Sequence, residues 1–161
     1  MNVVSKSERK ILPINIRQYT PKDEAEVYRV NEASLEISFR YYYNMFHKRA
    51  PELFLVAEYE NQIIGFILVR SGQNFGENHT AIIFAIAVAP QYRSLGVGTQ
   101  LINAIIDVLH HKEINKLYLH VRVGNTRGIQ FYERLGFTKI KRIENFYHWG
   151  EAAFRMVKIL K

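Results

Sequence analysis

Residues 82–111, with the sequence IIFAIAVAPQYRSLGVGTQLINAIIDVLHH, determine how the rest of the chain is interpreted. Ile82 to Val88 is a nearly continuous apolar run with β-branched residues, which predicts a strand that is buried on both faces. Pro90 ends this strand, because proline has no N–H group to contribute to a sheet. The helix predicted after it has an apolar stripe with a 3.6-residue period, at positions 101, 102, 105, 106 and 109.

The turn between this strand and this helix, Arg93 to Gly98, has the composition of a phosphate-binding loop. Glycines let backbone N–H groups converge without a Cβ in the way, and a helix N-terminus adds about half a positive charge. A P-loop is excluded, because no Gly-Lys-Ser/Thr follows the turn. A dinucleotide-binding fingerprint is also excluded, because Leu101 stands where its third glycine belongs. The turn therefore predicts a phosphate-binding loop of another kind.

The composition favours one globular domain. The chain has 161 residues, of which 48% are hydrophobic, and this is enough for a substantial core. No apolar run approaches the ~20 residues that span a bilayer, and we expect neither a signal peptide nor a membrane association. The absence of cysteine excludes disulfides, thiolate catalysis and cysteine-ligated zinc. We therefore expect a cytoplasmic protein.

The net charge of +7 is compatible with several partners. The basic residues of the chain are scattered rather than gathered in an Arg/Lys-rich block, so nucleic-acid binding is not favoured. A polyanionic cofactor or a ribosome-associated setting explains the charge equally well.

The rest of the chain alternates strand and helix patterns. Residues 1–13 are polar and basic and predict a flexible tail, which precedes a single domain over residues 14–161. Thr20 is predicted to cap the first helix, and residues 71–79 are predicted to be a loop. The predicted order β-α-α-β-β-β-α-β-α-β-β corresponds to an α/β fold. We expect a mixed, mostly antiparallel sheet of about seven strands with helices on both faces.

Several motifs in the second half of the chain occur together. They are Arg-x-x-Gly-x-Gly at 93–98 after Val-Ala-Pro, Leu-Tyr-Leu-His-Val at 117–121, Asn125, Phe131-Tyr132 with Gly136-Phe137, and Phe146-Tyr147. This combination resembles the GNAT acetyltransferases and, among them, the protein N-terminal acetyltransferases of the ribosomal-protein and Nat types, the NatE-like enzymes most of all. The resemblance covers residue 14 to the end. It implies the GNAT fold, acetyl-CoA as cofactor, protein or peptide N-termini as substrate, and direct transfer in a ternary complex without a metal.

The resemblance also implies how the cofactor is held. Backbone groups of Ile86, Ala87 and Val88 would pair with the pantetheine arm, and the Val88 N–H would donate to the oxyanion. The pyrophosphate would be bound by the N–H groups of Arg93, Ser94, Leu95, Gly96, Val97, Gly98 and Thr99, with charge added by the arginine side chain. Asn125 would bond the cofactor arm, although a helix N-cap predicts the same residue. Tyr132 would protonate or hydrogen-bond the coenzyme A sulfur, and a purely packing role for it stays open.

His120 matches the histidine that serves as general base through a water molecule in the NatE-like enzymes. An ordinary histidine pKa near 6.5 allows it to accept a proton at neutral pH, although a strand histidine can also be a plain surface residue. The family has a tyrosine or histidine as its partner on the central strand, and Ile82 stands at that position here. This departure puts a two-residue proton relay in doubt.

Two segments match the family's peptide-binding positions. Phe146 and Tyr147 match the aromatic pair that lines the peptide N-terminus, and they could equally be edge-strand aromatics. The substrate-loop position is occupied by Leu35, Glu36 and Ile37. Glu36 could hold the substrate ammonium, although it comes second in a place where relatives often have proline. Two other functions stay open, namely a GNAT enzyme that acts on a lysine side chain or a small amine, and a non-catalytic coenzyme A-binding subunit.

Overall fold

The computed structural model describes residues 11–161, which form one seven-stranded sheet and four α-helices. The strands are β1 (Asn15–Gln18), β2 (Phe54–Tyr59), β3 (Gln62–Asn74), β4 (Glu77–Val88), β5 (Lys116–Arg122), β6 (Thr138–Ile143) and β7 (Ala153–Ile159). The helices are α1 (Glu24–Ser34), α2 (Tyr43–Arg49), α3 (Val97–His111) and α4 (Thr126–Arg134). The first ten residues of the predicted tail lie outside the described part of the chain.

The sheet has the strand order β1-β2-β3-β4-β5-β7-β6. β4 pairs with β5 in parallel, whereas β1 with β2, β5 with β7, and β6 with β7 pair in the antiparallel sense. The predicted mixed sheet of seven strands is therefore confirmed. No helix within residues 11–161 is long and apolar enough to cross a membrane.

The described chain divides into two compact units. The first contains residues 11–67 and Ala85–Ala104, and the second contains Leu68–Phe84 and Ile105–Lys161.

The first unit has an aromatic core behind the start of its first helix. The rings of Tyr19 and Phe54 are stacked with centroids 4.0 Å apart, and both side chains are fully buried. Thr20 is an N-cap residue as predicted, but of a one-turn 3-10 helix that leads into α1, where it forms a capping box with Asp23. The Asp23 carboxylate also accepts two hydrogen bonds from the Arg17 guanidinium, and this contact is the main cause that lowers its pKa.

The second unit contains a long hairpin that was not predicted from the sequence. The predicted loop at 71–79 is wrong, because β3 continues to Asn74 and β4 begins at Glu77. Buried Thr80 accepts hydrogen bonds from both the backbone and the side chain of Asn74, and it donates to backbone carbonyls of the hairpin. These bonds satisfy polar residues inside the paired strands, so a polar sequence forms regular structure here.

Candidate active site

In the first unit, the loop between β4 and α3 has the geometry of an anion site. Ser94 and Gly96 adopt left-handed backbone conformations, with φ of 63° and 82°. When left-handed and right-handed residues alternate, successive backbone N–H groups point toward one place. Helix α3 begins directly after them, at Val97, so its N-terminus faces the same region. Four stripe residues of α3 are fully buried and anchor the helix, namely Leu101, Ile102, Ile105 and Leu109. The loop is therefore built on a fixed helix start.

The end of β4, which precedes this loop, is held by side chains. The carbonyl of Val88 accepts hydrogen bonds from Ser34 Oγ at 3.1 Å and from Arg93 Nε at 3.3 Å. The Arg93 side chain thus turns back onto the strand end in this structure. Ala87 is buried, and its carbonyl lies 3.0 Å from where a Cβ at Gly65 would be, so only glycine fits there without a shift.

The same loop has a contact that sequence patterns did not reveal. The N–H of Leu12 donates to the carbonyl of Leu95 at 3.2 Å, and Gln100 Nε2 donates to the carbonyl of Leu12 at 3.2 Å. Leu12 falls in the predicted flexible tail, yet its N–H is hydrogen-bonded to the loop and its carbonyl is hydrogen-bonded to a side chain of α3. A single residue without periodicity gives no sequence signal for such a contact.

The predicted substrate loop after α1 is organised by a buried asparagine. Asn31 is fully buried, and its Nδ2 donates to the carbonyl of Ile37 at 2.8 Å. Its Oδ1 accepts from the backbone N–H of Phe39 and from the hydroxyl of Tyr43, both at 2.9 Å. The flanking Leu35 is half-buried, as is Ile37, whereas Glu36 is exposed. The sequence offers one signal for this arrangement, which is that Asn31 lies on the apolar side of α1 with Val27 and Val30.

In the second unit, His120 lies on β5 directly opposite Arg155 of β7. Arg155 Nε donates to His120 Nε2 at 3.2 Å. The ring of Phe146 stacks on the imidazole with centroids 4.5 Å apart, and Phe75, from the tip of the long hairpin, contacts it edge-on at 5.8 Å. His120 is therefore a half-buried member of an aromatic cluster and not a surface histidine.

The surroundings of His120 decide its protonation state. Burial, and then the charge of Arg155, lower its pKa from 6.5 to about 4, so it is neutral at pH 7. An arginine can only donate, so Nε2 is the accepting nitrogen and the proton of the neutral ring is on Nδ1. The nitrogen that would accept a proton is engaged by Arg155 in this structure.

Ile82, at the family's usual partner position, is part of the core. It packs with Tyr118 and Val157 in a buried cluster and pairs with Tyr118 across the parallel ladder. The Tyr118 hydroxyl points elsewhere, since it donates to Glu77 at 2.8 Å. Glu77 also accepts from Lys116 at 3.0 Å. Ile82, which replaces the tyrosine or histidine of the family pattern, therefore makes an apolar contact at this position.

The aromatic segment between β6 and β7 forms an ordered turn around Glu151. Tyr147 stacks on Trp149 with centroids 4.7 Å apart, and Trp149 Nε1 donates to the Glu151 carboxylate at 2.9 Å. The same carboxylate accepts from Arg122 at 3.2 Å and from the Gly124 N–H at 3.0 Å. These hydrogen bonds lower the pKa of Glu151, and the bond from Trp149 contributes most. The aromatic pair was predictable from the sequence, whereas the carboxylate that anchors the segment was not.

The remaining two predicted residues lie at opposite ends of α4. Asn125 caps the helix, since its Oδ1 accepts from the Gly128 N–H at 2.9 Å. A Cβ at Gly128 would lie 2.5 Å from the Asn125 amide nitrogen, which explains the glycine there. Tyr132 contacts the rings of Phe131 and Phe137, and its hydroxyl makes no hydrogen bond with residues 11–161. Burial, and then the nearby Tyr147, raise the pKa of Tyr132, so its phenol stays protonated at neutral pH.

A comparison with known proteins identifies the family. Residues 14–137 match the model of the acetyltransferase (GNAT) family. The chain belongs to this family. An N-alpha-acetyltransferase from Sulfurisphaera tokodaii is 32% identical to this GNAT protein over 152 residues, which cover 88% of this chain and 90% of that protein. The predicted family and its N-terminal acetyltransferase branch are thus confirmed.

Solved structures agree with this assignment. Ard1 from Thermoplasma volcanium has a TM-score of 0.84 to this GNAT chain at 28% identity, covering 92% of this chain and 98% of that chain. Chaetomium thermophilum Naa20, in complex with a bisubstrate analogue, has a TM-score of 0.82 at 25% identity, covering 91% and 86%. The predicted GNAT fold is therefore confirmed.

Proposed function

We propose that this GNAT protein transfers the acetyl group of acetyl-CoA to the α-amino group of protein N-termini. The observation that carries the proposal is its 32% identity to an N-alpha-acetyltransferase over 88% of this chain. The residues of the two units add chemical support, as follows.

The first unit offers groups that suit coenzyme A. The N–H groups of 93–99 and the start of α3 would bind the pyrophosphate, which carries negative charge. Backbone groups of Ile86 to Val88 would pair with the pantetheine arm, and the N–H of Val88 would donate to the thioester oxygen. Acetyl-CoA, when bound, supplies the activated acyl group. The half-buried Leu35 and Ile37 would contact the peptide, in a loop held by Asn31.

The second unit offers a base and an acid. An amine must be neutral to attack the thioester carbon, and His120 would take its proton through a water once Nε2 is released by Arg155. The C–S bond breaks as the C–N bond forms, and Tyr132 would give a proton or a hydrogen bond to the departing thiolate. Its raised pKa keeps the phenol protonated and therefore able to donate a hydrogen bond. Phe146 and Tyr147 would line the peptide N-terminus.

The deciding experiment is an acetylation assay with purified protein, acetyl-CoA and peptides that differ in their first two residues. Each peptide is supplied with a free and with a blocked N-terminus, and each contains an internal lysine. We expect turnover on free N-termini alone, with rates that depend on the first two residues. Transfer to blocked peptides would indicate lysine acetylation, and acetyl-CoA binding without any transfer would indicate a non-catalytic subunit; either result overturns the proposal.

The cellular setting follows from the same chemistry. The protein would act in the cytoplasm, where new N-termini and acetyl-CoA meet, and its net charge of +7 would favour contact with ribosomes. Salt-sensitive sedimentation with ribosomes tests this part, and its failure would leave the enzymatic proposal intact.

A further inference from the structure

Arg155 is a half-buried cation without an acidic partner in the described part of the chain. Its Nε donates to the neutral His120, and its guanidinium lies over the ring of Phe75, with 3.6 Å between Cζ and the ring centroid. The two terminal amino groups of the guanidinium make no hydrogen bond with residues 11–161. The four N–H donors of these two groups are therefore left for a ligand, and two of them, one from each group, point along the same edge of the planar guanidinium.

Two carboxylates of the second unit, one at the start of β4 and one just before β7, are already engaged. Glu77 accepts from Lys116 and from the Tyr118 hydroxyl, and Glu151 accepts from Arg122 and Trp149. The residue opposite Arg155 on β6 is Lys141, which is another cation. The local charge around Arg155 is thus positive. A cation that is partly removed from water gains most from a carboxylate or phosphate that it can bind through two parallel N–H···O bonds.

We propose that Arg155 binds a carboxylate within the first two residues of the substrate peptide, so that acidic N-termini are preferred. This inference rests on the proposed function. It assigns the anion to the peptide because Arg155 contacts His120, and His120 is stacked against Phe146 of the predicted peptide-binding pair. The aromatic ring of Phe75 holds the guanidinium in position by a cation–π contact.

A carboxylate bound to Arg155 would also change the basicity of His120. A carboxylate can bind through the terminal amino groups of Arg155 while Nε still donates to His120 Nε2. It offsets the positive charge that disfavours protonation of the imidazole. Binding of an acidic substrate would therefore make His120 a better base, and the gain would appear in kcat as well as in KM.

The test uses peptide pairs that differ only by Glu against Gln, or Asp against Asn, at residue one or two. We expect the full-length protein to prefer the acidic member by about tenfold or more in kcat/KM, which corresponds to one charge-assisted contact. Arg155→Gln should abolish this preference, and Arg155→Lys, which keeps the positive charge, should retain part of it. Arg142→Gln is the matched control, since Arg142 is an exposed arginine that pairs with Glu144. It should keep the preference.

Binding measurements keep this test separate from that of the proposed function. The dissociation constants of the same peptides in the presence of coenzyme A should show the same preference even where no acetyl transfer occurs. An unchanged ratio in Arg155→Gln, or no acidic preference in the unaltered protein, overturns the inference. A weaker affinity for acetyl-CoA with an unchanged peptide ratio would assign Arg155 to a cofactor phosphate instead, which also overturns it. Thermal unfolding of each variant verifies that it is folded.

Discussion

The loop at 93–99 and the cluster around His120 are two candidate sites built in opposite ways. The loop depends on backbone N–H groups and on the left-handed conformations of Ser94 and Gly96, while its side chains are largely exposed or half-buried. The His120 cluster depends on side chains from separate segments, since Phe75, Phe146 and Arg155 all contact the imidazole or each other. A site made of backbone groups can be specified by one short sequence motif. A site made of side chains depends on strand pairing, which brings distant residues together.

This difference predicts which substitutions damage which step. A change in backbone freedom at the loop should weaken cofactor binding for every substrate. A change of side chain at His120, Arg155 or Tyr132 should act on chemistry or peptide choice and leave cofactor binding intact. The variants below test this separation, in order of decreasing expected effect.

The largest effect is expected from Gly96→Val. A valine in the left-handed conformation of residue 96 is strained, so the loop must change shape and its N–H groups no longer converge. We expect the acetyl-CoA dissociation constant, measured by calorimetry, to rise about 100-fold, which is about 2.8 kcal/mol. Gly72→Val is the control, because Gly72 also has a positive φ, of 131°, with no atom within 4 Å of a Cβ. Equal losses in both variants would contradict a loop-specific effect.

Tyr132→Phe should act on chemistry alone. The phenol is protonated because burial raises its pKa, and its removal takes away a proton donor but keeps the ring contacts. We expect kcat to fall about 100-fold, as is usual for loss of a general acid, with the acetyl-CoA dissociation constant unchanged. Tyr41→Phe, at a residue that is 89% exposed, should have no effect. An unaltered kcat in Tyr132→Phe would assign this tyrosine to packing.

Asn31→Ala should act on the peptide. It leaves the Ile37 carbonyl, the Phe39 N–H and the Tyr43 hydroxyl without their partner, at about 1–3 kcal/mol for each group that stays buried. We expect the peptide KM to rise about tenfold and the free energy of unfolding to fall by about 3 kcal/mol. Asn103→Ala, at an exposed position of α3, is the control. A rise in the acetyl-CoA dissociation constant instead of the KM would contradict the assignment.

The smallest effect at neutral pH concerns stability, because it appears only as the pH is lowered. His120 has a folded-state pKa of about 4, below the ordinary value of 6.5, so the unfolded chain takes up the proton first as pH falls. This residue's contribution to stability is therefore present above pH 6.5 and is lost between pH 6.5 and 4. Denaturant unfolding should show a smaller pH dependence over this window in His120→Gln than in the control His110→Gln, at an exposed residue. Identical pH dependences would contradict the lowered pKa.

The separation also explains which predictions succeeded. The strand, turn and helix of 82–111 were predictable because hydrophobic period, Pro90 and the glycines all act within a few residues. The strands through 71–79 were not, because their stability comes from hydrogen bonds between Thr80 and residues across the turn. The predicted cofactor and substrate roles of the site residues stay predictions, with the experiments above as their tests.

The sequence by itself determined the order of elements, the glycine-containing turn before α3 and the capped helix starts, because these depend on local backbone preferences. Only the tertiary structure decided that Arg155 faces His120, that Glu151 holds Trp149, and that Asn31 organises the loop after α1. The physical reason is distance along the chain. The 35-residue separation of His120 and Arg155 is bridged by the register of β5 with β7, and no local pattern specifies that register.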